Sequence, residues 1–226
     1  MTSHSSTPEY LARKTRAVVL ISGGGSNLQA FIDQVQSGDL ELDLCLVLSN
    51  VDSAFGLERA KNAGIDCDCI NHKDFSSRLE FDQALINRID QVDPDLIILA
   101  GFMRILTTDF VTHYANKLLN IHPSLLPKFT GTNTHQRAID ADEEWHGVSV
   151  HFVIPELDAG PVILQGRLRI NGDDNAKSLQ QRIHKIEHLL YPLAVKWFCE
   201  QRLSIMDGQV LLDGETSEQQ LQSFDL

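Results

Sequence analysis

From Ala17 onward, short apolar runs alternate with amphipathic stretches, and this alternation confines the chain to parallel strands joined by helices. Strands are expected over residues 17–22, 42–48, 96–100, 117–121, 149–153 and 162–168, with helices between them. Leu79, Leu85, Ile86 and Ile89 give one helix an apolar face before Pro94 ends it. In the last helix Leu179, Ile183, Ile186, Leu190, Leu193 and Trp197 recur every three or four residues. No repeat, low-complexity tract or linker breaks the series, so 226 residues with 42% hydrophobic content make one α/β domain. Its expected limits are residues 16–215, between a polar N-terminal extension over 1–15 and a polar, frayed C-terminal tail over 216–226.

The first strand runs straight into Gly23-Gly24-Gly25-Ser26-Asn27, and Leu28-Gln29-Ala30-Phe31-Ile32 begins a helix. Glycines let a ligand approach the backbone, and free N–H groups in a first helical turn favour an anion. There is no Gly-Lys-Ser/Thr, which excludes a Walker loop. The third glycine of a dinucleotide fingerprint is missing, and the second strand ends at Ser49-Asn50 without an acidic residue. A nucleoside monophosphate or phosphosugar fits better, against the alternative of a tight turn that binds nothing.

Composition narrows the ligands further. A formal charge of −12 opposes general binding to nucleic acid, although a local basic pocket for a small anion remains open. Cys45, Cys67, Cys69 and Cys199 form no dense disulfide pattern, and Cys67-Asp68-Cys69 is too tight for a Cys-x-x-Cys pair, so four reduced thiols in the cytoplasm are expected. The first fifteen residues hold no apolar signal core, and the longest apolar stretch, residues 96–106, is broken by Arg104. A protein that neither crosses a membrane nor is exported is expected, as a monomer or a homodimer.

Chemistry concentrates in Asn120-Ile121-His122-Pro123-Ser124-Leu125-Leu126-Pro127. The two prolines forbid a regular helix, and Leu118-Leu119 reads as the end of a buried strand. Asn120 and His122 are two apart on an extended segment, so they share a face and can address one substrate atom. The amide supplies a donor and the imidazole an acid or donor, which suits acyl or formyl transfer without a metal or a covalent intermediate. Asp158 is a possible carboxylate partner, and on residue type alone it is equally a helix cap or a turn aspartate.

Taken in order, the glycine cradle, Ala54-Phe55-Gly56-Leu57-Glu58-Arg59-Ala60, Gly101-Phe102-Met103-Arg104-Ile105-Leu106, the Asn120–Pro127 run and Leu157-Asp158-Ala159-Gly160-Pro161 are similar to the phosphoribosylglycinamide formyltransferase family. The resemblance covers about residues 16–205. It implies a single doubly wound, mostly parallel sheet flanked by helices, the Rossmann-like formyltransferase fold. It also implies transfer of a formyl group from 10-formyltetrahydrofolate, a co-substrate, to the amine of phosphoribosylglycinamide in purine synthesis. Asn120 would then donate to the formyl oxygen, protonated His122 would stabilise the oxyanion, and Asp158 would support that histidine and the proton traffic. Gly25, Ser26 and Asn27 would hold the phosphate and Glu187 the ribose hydroxyls, with His184 beside them.

For the folate, the resemblance implies Asn120, Arg78, Met103, Arg104, Ile105 and Leu106, with Ile154, Pro155, Glu156, Leu157 and Asp158. Arg78 suits the glutamate carboxylate of the cofactor, and it is equally an ordinary solvated helix charge. Asn133 stands where some relatives carry histidine, Pro155 where others carry an acid, and His184 where relatives use lysine or glutamine. Three rivals are kept open. Formyltetrahydrofolate deformylase shares the Asn, His and Asp set. A zinc peptidase is spelled by His184-Lys185-Ile186-Glu187-His188, whose histidines lie one helical turn apart. A phosphosugar-binding module would use the glycine loop without chemistry.

Overall fold

The computed structural model describes residues 13–216 and 221–224, so residues 1–12 of the expected extension lie outside the described residues. Thr15–Ile21 (β1), Leu42–Ser49 (β2), Cys67–Cys69 (β3), Leu96–Leu99 (β4) and Leu118–His122 (β5) are mutually parallel. Trp145–Phe152 (β6) and Val162–Arg169 (β7) extend the sheet antiparallel. Leu221–Ser223 (β11) closes it, giving the order β3-β2-β1-β4-β5-β6-β7-β11. The helices are Ser26–Ser37 (α1), Phe55–Asn62 (α2), Arg78–Asp90 (α3), Thr108–His113 (α4), Thr134–Asp140 (α5) and Ala176–Cys199 (α6).

Residues of β1 show why the sheet is doubly covered. Ala17, Val19 and Ile21 join one core with Leu28, Phe31, Ile183 and Tyr191, while Val18 and Leu20 join the other with Phe81, Leu85 and Phe110. A strand buried on both faces has no polar side to show, which explains its unbroken apolar run. The order of strands reverses between β1 and β4, and in such sheets ligands bind outside the carboxyl ends of the strands at that switch point. The glycine turn, residues 101–106 and His122 all lie at those ends.

Several expectations need correction. The chain end is not wholly frayed: β11 pairs parallel with β7, and Phe224 donates its N–H to the Arg167 carbonyl at 2.9 Å while its ring packs against Gly166. β6 begins at Trp145 rather than residue 149. Gly147 masks that start in the sequence, yet a Cβ there would sit 2.1 Å from the Gly166 carbonyl oxygen, so the strand requires glycine. On α3, Phe81, Asp82, Leu85 and Ile89 make the buried face, whereas Leu79 is 55% exposed. Leu203–Met206 (β8), Gln209–Leu212 (β9) and Glu215–Thr216 (β10) form a small antiparallel sheet that the helix and strand periods did not foretell. No helix among the described residues is long and apolar enough to cross a membrane.

Candidate active site

The glycine cradle forms as the β1 to α1 connection. Gly25 caps α1 at φ 69° and has no side chain to occupy the first-turn N–H groups. A Cβ on Gly25 would stand 2.7 Å from Gly56 Cα, because α2 packs its first turn on the cradle and Gly56 N–H donates to the Gly23 carbonyl at 3.0 Å. Arg59 Nε donates to the Gly24 carbonyl and its Nη1 to Gln29 Oε1, each at 2.8 Å. Arg59 lies one helical turn after Phe55, and its guanidinium sits over the Phe55 ring at 4.9 Å.

Asn27 and Glu187 meet across the molecule. Asn27 Nδ2 donates to Glu187 Oε2 at 2.8 Å, joining the cradle to α6. Glu187 is 5% exposed, and burial raises its pKa against the opposing pull of the Asn27 bond and of His184 and His122. His184 is half-buried on the same helix. The rings of His184 and His188 are stacked with centroids 6.3 Å apart, and the Glu187 carboxylate is held by Asn27. Among the described residues no group of three or more His, Cys, Asp and Glu is placed to hold a metal ion.

His122 ends β5, buried, with both ring nitrogens facing oxygen atoms. Nε2 lies 2.9 Å from the Phe129 carbonyl, and because a carbonyl only accepts, that nitrogen carries a hydrogen. Nδ1 lies 3.6 Å from Asp158 Oδ2, the two side chains being 7% and 8% exposed. Asp158 itself sits at φ 52°, and its Oδ2 accepts from Gly131 N–H at 2.8 Å. The loop after β5 therefore fixes histidine and carboxylate together. Asn120, half-buried on the same strand face, places Nδ2 3.1 Å from His151 Nε2.

His151 lies near the end of β6. It is buried, and the antiparallel β5–β6 register sets it directly opposite Asn120, a relationship that residue spacing cannot reveal. His151 Nδ1 donates to the Phe152 carbonyl at 2.8 Å, and burial holds its pKa below the ordinary histidine value. A second pair lies behind the loop: His135 Nδ1 and His146 Nε2 are 3.0 Å apart, and burial pushes His135 down to about 4 and His146 to about 3.

Apart from Asn120 on β5, the residues expected around the folate fall on two loops and one helix end. Met103 and Ile105 are 73% and 53% exposed, and Leu157 is 54% exposed. Arg104 and Leu106 are half-buried, as is Ile154, while Pro155 and Glu156 are exposed. Arg78 is the exposed first residue of α3, next to its cap Ser77. Asn133, expected as a departure from relatives, is the left-handed cap of α5 at φ 58°.

Residues 15–195 match the formyl transferase family. The phosphoribosylglycinamide formyltransferase of Escherichia coli is 48% identical over 198 residues, covering 88% of this chain and 93% of that protein. The human trifunctional purine biosynthetic protein adenosine-3 is 41% identical over 196 residues, 87% of this chain and 19% of that protein. Among solved structures, the Coxiella burnetii phosphoribosylglycinamide formyltransferase superposes with TM-score 0.88 and 48% identity over 94% of this chain and all (100%) of that one. A formyltetrahydrofolate deformylase from Burkholderia mallei superposes with TM-score 0.80 at 22% identity, a likeness of fold alone.

Proposed function

The chain belongs to the formyl transferase family and carries out the phosphoribosylglycinamide formyltransferase reaction of purine synthesis; from that premise we propose how its own residues perform the transfer. The donor is 10-formyltetrahydrofolate, and Asn120, His122 and Asp158 form the reaction centre. The observation that carries this reading is the His122–Asp158 pair beside Asn120 at the end of β5, in a sheet where the next two strands, β4 and β1, lead into residues 103–106 and the glycine cradle, which Asn27 ties to Glu187.

The acceptor amine attacks the formyl carbon, and negative charge gathers on the formyl oxygen. Asn120 has one amide hydrogen left after its contact with His151, and this hydrogen donates to that oxygen. His122 meets the reacting groups through Nδ1, since Nε2 is committed to Phe129. The Asp158 carboxylate stabilises positive charge on that ring. The new C–N bond forms, the bond from the formyl carbon to the folate nitrogen breaks, and the proton lost by the amine ends on that nitrogen through this pair. Gly25, Ser26 and Asn27, with Arg59, hold the phosphate, and Glu187 and His184 the adjoining ribose. The folate lies along Met103, Arg104, Ile105 and Leu106 and against residues 154–158, with Arg78 toward its glutamate.

The test follows folate turnover with and without phosphoribosylglycinamide. Tetrahydrofolate is expected to appear only with the ribonucleotide, together with one formylated product per turnover. Release of formate at the same rate without the ribonucleotide would instead make the chain a hydrolase.

A further inference from the structure

Residues 103–106 leave the end of β4 and reach α4 without pairing with either. Among the described residues, their peptide groups make no hydrogen bond to another backbone group. Two side chains secure the ends instead. Met103 N–H donates to Ser22 Oγ at 2.7 Å, and Ser22 Oγ donates on to Asn50 Oδ1 at 2.6 Å. At the other end, Thr107 N–H donates to Asp82 Oδ2 at 2.6 Å.

Asp82 and Asn50 are 1% and 2% exposed, in positions where an apolar side chain would satisfy the core without a desolvation cost. Burial raises the pKa of Asp82, opposed by the Thr107 bonds and then by Arg78 and Arg104. Its second oxygen, Oδ1, and Arg104 Nε are both buried without a hydrogen-bond partner. A carboxyl group kept buried under those conditions, tied to the end of a segment whose peptides are otherwise unclaimed, points to a role beyond packing. Met103 and Ile105 meanwhile present large apolar side chains to solvent from the same segment.

We propose that Ser22 and Asp82 are positioning residues that stretch residues 103–106 into a preformed rail for the ring system of the formyl folate. The inference rests on the folate placement given above. Ordering the rail during folding removes that entropy cost from binding, so the free peptide groups of Arg104 and Leu106 meet the ligand already in place.

Steady-state kinetics of the full chain, with both substrates varied, tests the idea on Ser22→Ala, Asp82→Ala and Asp82→Asn. In the two alanine variants KM for formyl folate is expected to rise about tenfold while KM for phosphoribosylglycinamide stays within about twofold. Asparagine still offers an acceptor to Thr107 N–H, so Asp82→Asn should hold folate KM within about threefold of the parent. Thermal melting identifies a variant that fails to fold, and Ser22→Ala, at the opposite end of the rail, then carries the comparison. Equal rises in both KM values, an unchanged folate KM in both alanine variants, or an asparagine variant as impaired as the alanine one would each overturn the rail. Hydrogen exchange separates this from the underlying placement. If an unreactive folate slows exchange of the residue 104–106 amides but the alanine variants keep the parental KM, the rail alone is wrong. If it gives no such protection, the placement itself is wrong and the rail falls with it.

Discussion

His151 sets the orientation of Asn120 through a single contact, Nε2 to Nδ2 at 3.1 Å. Because His151 Nδ1 donates to the Phe152 carbonyl at 2.8 Å, its Nε2 has only a lone pair to offer, and Asn120 must turn its NH2 group toward it. Burial keeps the ring neutral by lowering its pKa, so this arrangement survives mild acid. His151→Phe leaves the amide in place but unaimed, and kcat is expected to fall roughly tenfold to a hundredfold, less than the roughly 10²–10³ lost with a whole oxyanion donor. Both KM values should stay close to the parent. Initial-rate measurements decide it, and a parental kcat in a folded His151→Phe protein would remove the role.

The separation of 3.6 Å between His122 Nδ1 and Asp158 Oδ2 makes the pair act as a unit. Either His122→Ala or Asp158→Asn is expected to lower kcat about 10²–10⁴-fold, the range of a lost acid–base group, with much smaller changes in KM. The double variant should be little worse than the poorer single one, since a broken pair cannot be broken twice. Additive losses in kcat would show that the two side chains act separately.

Glu187, proposed above to hold the ribose, carries a stability cost. It is 5% exposed, and burial raises its pKa, so the folded state binds a proton more readily than the unfolded chain and its ionised form weakens the fold at neutral pH. Glu187→Gln keeps an oxygen for Asn27 but removes the charge. Its melting temperature is expected to equal or exceed the parent at neutral pH, with the gap closing as acid protonates Glu187. KM for phosphoribosylglycinamide should rise about tenfold or more, because a carboxylate that accepts from hydroxyls is replaced by a group that also donates. A lower melting temperature together with an unchanged KM would contradict both halves.

How much of this was legible before the structure depends on the range of the interaction. Runs such as Val18-Val19-Leu20-Ile21, buried on both faces, are visible in any window, and so is the α6 stripe of Leu179, Ile183, Ile186 and Leu190. Asn120 and His122 share a face because they are two apart on a strand. The Asp207-Gly208 and Asp213-Gly214 pairs, all at positive φ, are ordinary hairpin signals for β8–β10 that the longer periodicities obscured. The opposition of Asn120 to His151, the reach of Asn27 to Glu187 and the tie of Asp82 to Thr107 are different in kind. They depend on sheet register or on contacts between elements far apart in the chain, and no local period encodes them.

Acid should loosen the loop that holds His122. His135 on α5 and His146 on β6 share a bond of 3.0 Å, and burial lowers their pKa values to about 4 and about 3. Both folded values lie below that of an unfolded histidine, so stability is fully present above about pH 6.5 and drains away as pH falls toward the folded values, where the unfolded chain takes protons that the folded one refuses. For His146, which is 1% exposed, the slope approaches about 1.4 kcal/mol per pH unit over that window; His135 is more exposed and adds less. At the lower end both rings become cations in contact, and α5 should part from β6, taking with it the neighbouring Phe129 carbonyl and Gly131 N–H that hold His122 and Asp158. Urea unfolding between pH 7 and pH 4 is therefore expected to show a shallower pH dependence for His146→Gln than for the parent, with the curves diverging below about pH 6.5. Parallel curves would place the acid sensitivity elsewhere in the molecule.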